Sequence, residues 1–108
     1  MELRPYYICL LRKGPAWTAE ETPELEELQA RHVAHNVELI ASGAKLAAGP
    51  VSDESDIRGF SIFCTATLDA ARALAETDPA VRVGRFVVEL HLWMVPAGTL
   101  PEPLTETK

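Results

Sequence analysis

Two histidines and an asparagine lie along one stripe of an otherwise amphipathic segment, residues 22–50, TPELEELQARHVAHNVELIASGAKLAAGP. At about 100° per residue, with Leu25 as origin, Leu28, His32, Asn36 and Leu39 fall within roughly 60° of one line, and His35 stands about 80° to one side. His32 and Asn36 thus occupy the centre of a face that should be buried. A polar group there needs a hydrogen-bond partner or costs about 1 to 3 kcal/mol. An imidazole held in such a setting is the usual general base or acid near neutral pH, provided a neighbour fixes its tautomer. Metal binding is the rival use. His32 and His35 are three apart with only Val33 and Ala34 between them, whereas a helical zinc pair is spaced by four with a glutamate, so no metal is expected. Neither KGPAW nor GPVSDES carries the glycine pattern of a phosphate loop or dinucleotide fingerprint, and no cofactor is expected.

The totals narrow the classes further. A chain of 108 residues suits one domain with its own core, and 47% apolar with 24% charged residues is ordinary for a soluble protein. No run of about 18 apolar residues is present to span a bilayer. The N-terminal apolar run is short and lacks a small-residue cleavage site, so it is read as a strand, and a cytoplasmic location is expected. Net charge is -6 with the ten basic residues scattered, which argues against a nucleic-acid partner. Cys9 and Cys64 stand singly in strand-like runs and read as small buried hydrophobes.

The elements that would position these side chains follow from patterning. Residues 6–12, YYICLLR, predict a first strand. Residues 13–22 form a loop in which Trp17 reads as a lid over a hydrophobic edge. Thr22 before Pro23 starts a helix, with Glu24, Glu26 and Glu27 near its positive end and Gly43 as its left-handed stop. A short second strand over 45–51 carries Gly49 and Pro50, which favour an edge position. The acidic stretch 52–56 is a solvated turn. Residues 59–65 alternate Phe60, Ile62 and Cys64 against Ser61, Phe63 and Thr65, as in a third strand. Thr67 caps a second helix whose Leu68, Ala71, Leu74 and Ala75 face the sheet. Pro79 ends it at Asp78, and one more turn closes at Gly84. Residues 85–95 alternate Phe86, Val88, Leu90, Leu92 and Met94 against Val87, Glu89, His91, Trp93 and Val95, the pattern of a fourth strand. Residues 1–95 therefore form the domain, and 96–108 a proline-rich tail expected to be unstructured or wrapped on a partner.

The order β-α-β-β-α-β predicts an α+β, ferredoxin-like fold, a four-stranded antiparallel sheet with two helices on one face. The second face of the fourth strand, with Val87, His91, Trp93 and Val95, is too apolar to stay in water. Face-to-face packing of two sheets into a dimeric α/β barrel is the simplest remedy, which makes a second copy the expected partner and His91 an interface residue.

At His32, Gly43, Gly49, Pro50, Asp78 and Pro79 the chain resembles the YCII-related family of small dimeric α/β-barrel proteins. The residues that carry the likeness stand here as HVAHNVELIASG, AAGP and ARALAETDPAV, within about residues 5–95. The resemblance implies a ferredoxin-like protomer, dimerisation through the sheets, and a site built from the helical histidine and the aspartate before proline. It therefore implies a catalytic pair, His32 and Asp78, in which Asp78 takes one ring nitrogen and orients the imidazole. Asn36, Trp17, Gly49 and Pro50 are the candidate substrate-binding residues. The expected function is general acid/base chemistry on a small organic molecule: proton abstraction, isomerisation or elimination. A noncatalytic dimer that binds a small metabolite is the alternative. Plain structural roles also stand open: Asp78 as a helix cap, His32 as a core histidine bonded to backbone.

Overall fold

The computed structural model describes residues 1–105. Four strands, β1 (Leu3–Lys13), β2 (Lys45–Pro50), β3 (Ile57–Phe63) and β4 (Phe86–Pro96), form one sheet in the order β2-β3-β1-β4, with every pairing antiparallel. Three helices, α1 (Pro23–Ala41), α2 (Leu68–Ala75) and the single turn α3 (Pro79–Arg82), complete a ferredoxin-like α+β domain. β2 lies at a sheet edge, where the missing amide of Pro50 costs no ladder bond.

The helix ends have visible causes. Thr22 Oγ1 accepts the amide of Leu25 at 3.1 Å and Pro23 supplies the first turn of α1. Gly43, at φ +86°, then turns the chain into β2. Thr67 caps α2 in the same way through Ala70 N at 3.1 Å. α2 stops at Ala75, three residues before the stop expected at Asp78. The Thr77 hydroxyl donates to the Leu74 carbonyl at 2.7 Å and unwinds the end, so Asp78 instead stands at the N-cap of α3. On α2 the buried face is Ala70, Ala71 and Ala75, while Leu68, expected against the sheet, is 39% exposed. Alanines in the contact let the helix lie close to the sheet, leaving no room for the leucine of the first turn.

Between helices and sheet, Tyr7, Cys9, Leu39, Phe63, Ala71 and Ala75 form the main core. Both cysteines are free and buried. β3 turns its apolar alternation away from the helices: Phe60 pairs with Leu10 and Ile62 with Ile8 on the far face. The helix side takes Gly59, Ser61 and Phe63. Two small residues there leave space beside α1.

The tail expectation is corrected up to residue 105. Residues 96–105 lie back on the far face of their own sheet, where Tyr6, Cys64 and Val95 form a cluster with Leu46, Ile62 and Leu100. The Tyr6 hydroxyl donates to Pro101 O at 2.7 Å, the Leu104 amide to Cys64 O at 2.8 Å, and Arg4 pairs with Glu102 at 2.7 Å. Prolines lower the entropy lost when a segment is pinned, so a stretch without periodicity can still be ordered by a few anchors. The expectation for residues 106–108 lies outside the described residues. Beyond the strap, Phe60, Val87 and Trp93 remain exposed. Beside them runs a charged row in which Glu89 accepts from Arg12 at 2.6 Å and contacts His91 at 2.5 Å.

Tyr6→Phe should remove the strap's buried anchor and cost about 1 kcal/mol. In thermal unfolding that is a fall in Tm of roughly 4–8 °C for a domain of about this size.

Candidate functional site

His32 sits midway along α1, and its Nδ1 lies 2.5 Å from Asp78 Oδ2. Both groups are well covered, with side chains 12% and 4% exposed. The carboxylate divides its two oxygens: Oδ1 accepts the Ala80 amide at 2.9 Å as the cap of α3, and Oδ2 meets the histidine. One aspartate therefore both caps α3 and contacts the imidazole. A carboxylate facing Nδ1 holds the proton on that nitrogen and leaves Nε2 as the other ring nitrogen. Phe86 packs against the imidazole with ring centres 5.6 Å apart and limits its rotation.

A cavity of about 430 Å³ opens between α1 and the sheet. His32, Asn36, Trp17, Gly49 and Pro50 all line it, whereas Asp78 stands behind His32 and is not part of the wall. Its size is in the range of small-molecule sites. The space exists because Ser61, Gly59 and Ala48 present little side chain on this side of the sheet. Trp17 reaches the rim through the 13–22 loop, which is stitched to the start of β4 by Gly14 N to Arg85 O at 2.8 Å and Ala16 N to Gly84 O at 2.9 Å. A Cβ on Gly14 would collide with the carbonyl oxygen of Gly84, so only glycine fits there. Trp17 packs beside Leu28, Ala80 and Phe86, and the Lys13 ammonium rests 4.3 Å from its ring centre.

Several wall residues were not found by sequence reasoning. Lys45 is the main one: it is 6% exposed, and its ammonium donates to Asn36 Oδ1 at 2.5 Å and lies 4.9 Å from the ring centre of Phe63. Burial lowers its pKa from the ordinary lysine value, against weaker support from Cys9 and Asp78. Asn36, taken as a substrate group, is thus also the lysine's holder. A lysine at the start of a strand ordinarily reads as solvated. Here the register irregularity between Lys45 and Ala47 aims it at the helix side. Phe86, Ser61, Arg58 and Arg85 were likewise missed, since nothing in their spacing distinguishes them from core or surface positions.

His35 is half-buried at the stripe's edge, as the helical angles implied. Its Nε2 lies 2.8 Å from Thr77 Oγ1, and because that hydroxyl spends its proton on Leu74 O, Nε2 must donate. Nδ1 is then a buried acceptor without a partner among the described residues. Burial lowers the pKa of His35, outweighing the attraction of Asp78. His91 is exposed on the far face beside Glu89. Among the described residues no group of three or more His, Cys, Asp or Glu is placed to hold a metal ion, and no helix is long and apolar enough to cross a membrane.

The sequence profile of the YCII-related domain matches residues 6–94. The chain belongs to the YCII-related family. Among solved structures, this YCII-related chain is similar to the 5-chloro-2-hydroxyhydroquinone dehydrochlorinase of Burkholderia phenoliruptrix AC1100, determined in complex with 2,5-dihydroxybenzoquinone. The TM-score is 0.51 at 21% identity, covering 81% of this chain and 92% of that one, a likeness of fold. No curated protein sequence matches the chain.

Two measurements test the electrostatics. Asp78→Asn keeps an oxygen for the Ala80 amide but turns an amide N–H toward His32, so Nδ1 becomes the acceptor and the proton moves to Nε2. Imidazole 15N shifts should show that change of tautomer, with stability lower by about 1–3 kcal/mol. His35 has a folded pKa below its unfolded value of about 6.5, so the unfolded chain binds more protons and stability falls as pH drops below that value. Between pH 7 and 5 the wild type should therefore lose more Tm than His35→Gln, which retains a donor for Thr77.

Proposed function

We propose that this protein is an enzyme that performs general acid/base chemistry on a small organic molecule, with His32 as the proton-transferring group and Asp78 as its orienting partner. The observation that carries the reading is the 2.5 Å contact between His32 Nδ1 and the buried Asp78 carboxylate, at a histidine that also lines the cavity. In the resting site Nδ1–H donates to Asp78 and the lone pair of Nε2 faces the substrate space. Taking a proton on Nε2 makes an imidazolium, whose charge is balanced by the carboxylate 2.5 Å away. The same nitrogen can then return the proton to another atom of the substrate or leave it for solvent. That sequence serves proton abstraction, isomerisation and elimination alike. Elimination has a precedent on this fold, because the similar solved structure is a dehydrochlorinase bound to a quinone. Trp17, Asn36, Gly49 and Pro50 serve as substrate walls in this reading, with Phe86 holding the imidazole in line.

Self-association completes the proposal. The far face offers Phe60, Val87 and Trp93 to solvent around the Arg12–Glu89–His91 row. A second copy laid on it would bury these side chains and form the dimeric barrel.

His32→Asn separates catalysis from folding, because the asparagine amide nitrogen takes the place of Nδ1 beside Asp78 while Nε2 is lost. Chloride release from 5-chloro-2-hydroxyhydroquinone and solvent deuterium uptake into a panel of small enolisable ketones are the readouts. The variant should keep the wild-type Tm within a few degrees and lose about 10²–10⁴-fold in rate. Unchanged rates in the variant would sink the assignment of His32.

A further inference from the structure

The cavity is charged opposite to the protein that contains it. The chain carries a net charge of -6, yet among the described residues the wall includes Lys45, Arg58 and Arg85 and no aspartate or glutamate. Arg58 is committed elsewhere, donating to the carbonyls of Asp53 and Ser55 at 2.7 and 2.6 Å. Arg85 donates to Thr18 O at 3.1 Å and lies over the rings of Trp17 and Phe86. Lys45 is different: it is buried, forms no ion pair among the described residues, and has Asn36 Oδ1 as its sole hydrogen-bond partner there. An ammonium has three protons to donate, so this one is underused. Keeping a desolvated ammonium without a carboxylate is unfavourable unless the site is built to receive an anion.

Its position relative to His32 gives that anion a chemical identity. Asn36 is one helical turn beyond His32, a spacing of about 5–6 Å between neighbouring Cβ atoms, and the Lys45 ammonium is fixed on Asn36. His32 and Lys45 line the same cavity, and a base and a cation there can address two atoms of one conjugated fragment, a proton-bearing atom and the oxygen that receives the electron pair. We infer that Lys45, held by Asn36, is the recognition cation for an enolic or phenolic oxygen, and that the substrate is a small planar molecule that carries or develops an oxyanion.

The inference rests on His32 being the base, and it adds the acceptor of the charge. In the step itself His32 Nε2 takes a proton from the substrate, the electron pair moves through the conjugated system to oxygen, and Lys45 neutralises that oxygen while Asp78 neutralises the imidazolium. No electrons enter or leave the pair of molecules. Trp17, Phe86, Val33 and Val37 supply apolar walls for the ring. A neutral aliphatic ligand would leave the ammonium without its anion and bind weakly.

Equilibrium binding tests this without requiring turnover. The probes are 2,5-dihydroxybenzoquinone, which ionises to a quinonoid anion at neutral pH, and its uncharged dimethyl ether, 2,5-dimethoxybenzoquinone, titrated by calorimetry. Wild-type protein should favour the anion by about ten- to a hundredfold. Lys45→Met should abolish that preference while keeping Tm, and Lys45→Arg should retain part of it. His32→Asn should still bind the anion within a few-fold of wild type, so a failed catalytic assignment and a failed anion site give different results. Equal binding of the two quinones by the wild type, or an undiminished preference in Lys45→Met, overturns the inference. If Lys45→Met does not fold, the wild-type comparison decides on its own.

Discussion

Asp78 is buried, and a buried carboxylate must have both oxygens occupied by donors to be tolerated. One oxygen ends the unwound stretch after α2 by capping α3, and the other meets a histidine from the middle of α1. This single side chain therefore joins α3 to α1, and the two helices approach each other around it. The histidine also lines the cavity while the carboxylate does not, so the contact that joins the helices reaches the cavity wall. Helix packing and cavity wall share the interaction. A change at Asp78 acts on both.

The sheet contributes by what it omits. Toward α1 it offers Gly59, Ser61 and Ala48 where a typical strand would place larger apolar residues, and the larger ones, Phe60 and Ile62, point to the other face. The core is thus displaced toward α2, where alanines pack closely against Tyr7, Cys9 and Phe63. Close packing at one end and open space at the other follow from the same alternation in β3. The far face is divided similarly: one end is closed by the chain's own tail, and the other keeps Phe60, Val87 and Trp93 exposed.

Charge is arranged on the same plan. Acidic residues cluster in the first turn of α1 and in the exposed turn around Asp53, and among the described residues none stands in the cavity wall. Of the basic groups in the wall, Arg58 pairs with the Asp53 carboxylate at 3.7 Å, whereas Lys45 and Arg85 are held by carbonyl oxygens and aromatic faces. Such partners orient a cation without neutralising it, which leaves its field directed into the cavity.

Local patterning was sufficient for the elements. Thr22 with Pro23, Thr67, Gly43 and Gly84 mark helix ends by the amide and backbone requirements of their own turns, and period-two alternation marks the strands. The βαββαβ order then leaves few topologies, so the ferredoxin-like sheet was legible as well. A helical stripe with His32 and Asn36 at its centre announced a polar site, again from spacing within one segment. The rest depended on contacts between segments far apart in the chain. Residues 32 and 78 are joined only because α1 and α3 pack together, and no spacing along the chain encodes that distance. Lys45 looks like an exposed strand residue until a shift in register turns it inward, and the prolines of the tail look like disorder until Tyr6 and Cys64 anchor it. Periodicity reports which face a residue occupies. What that face meets is decided by tertiary packing, where burial, partner choice and charge are set together.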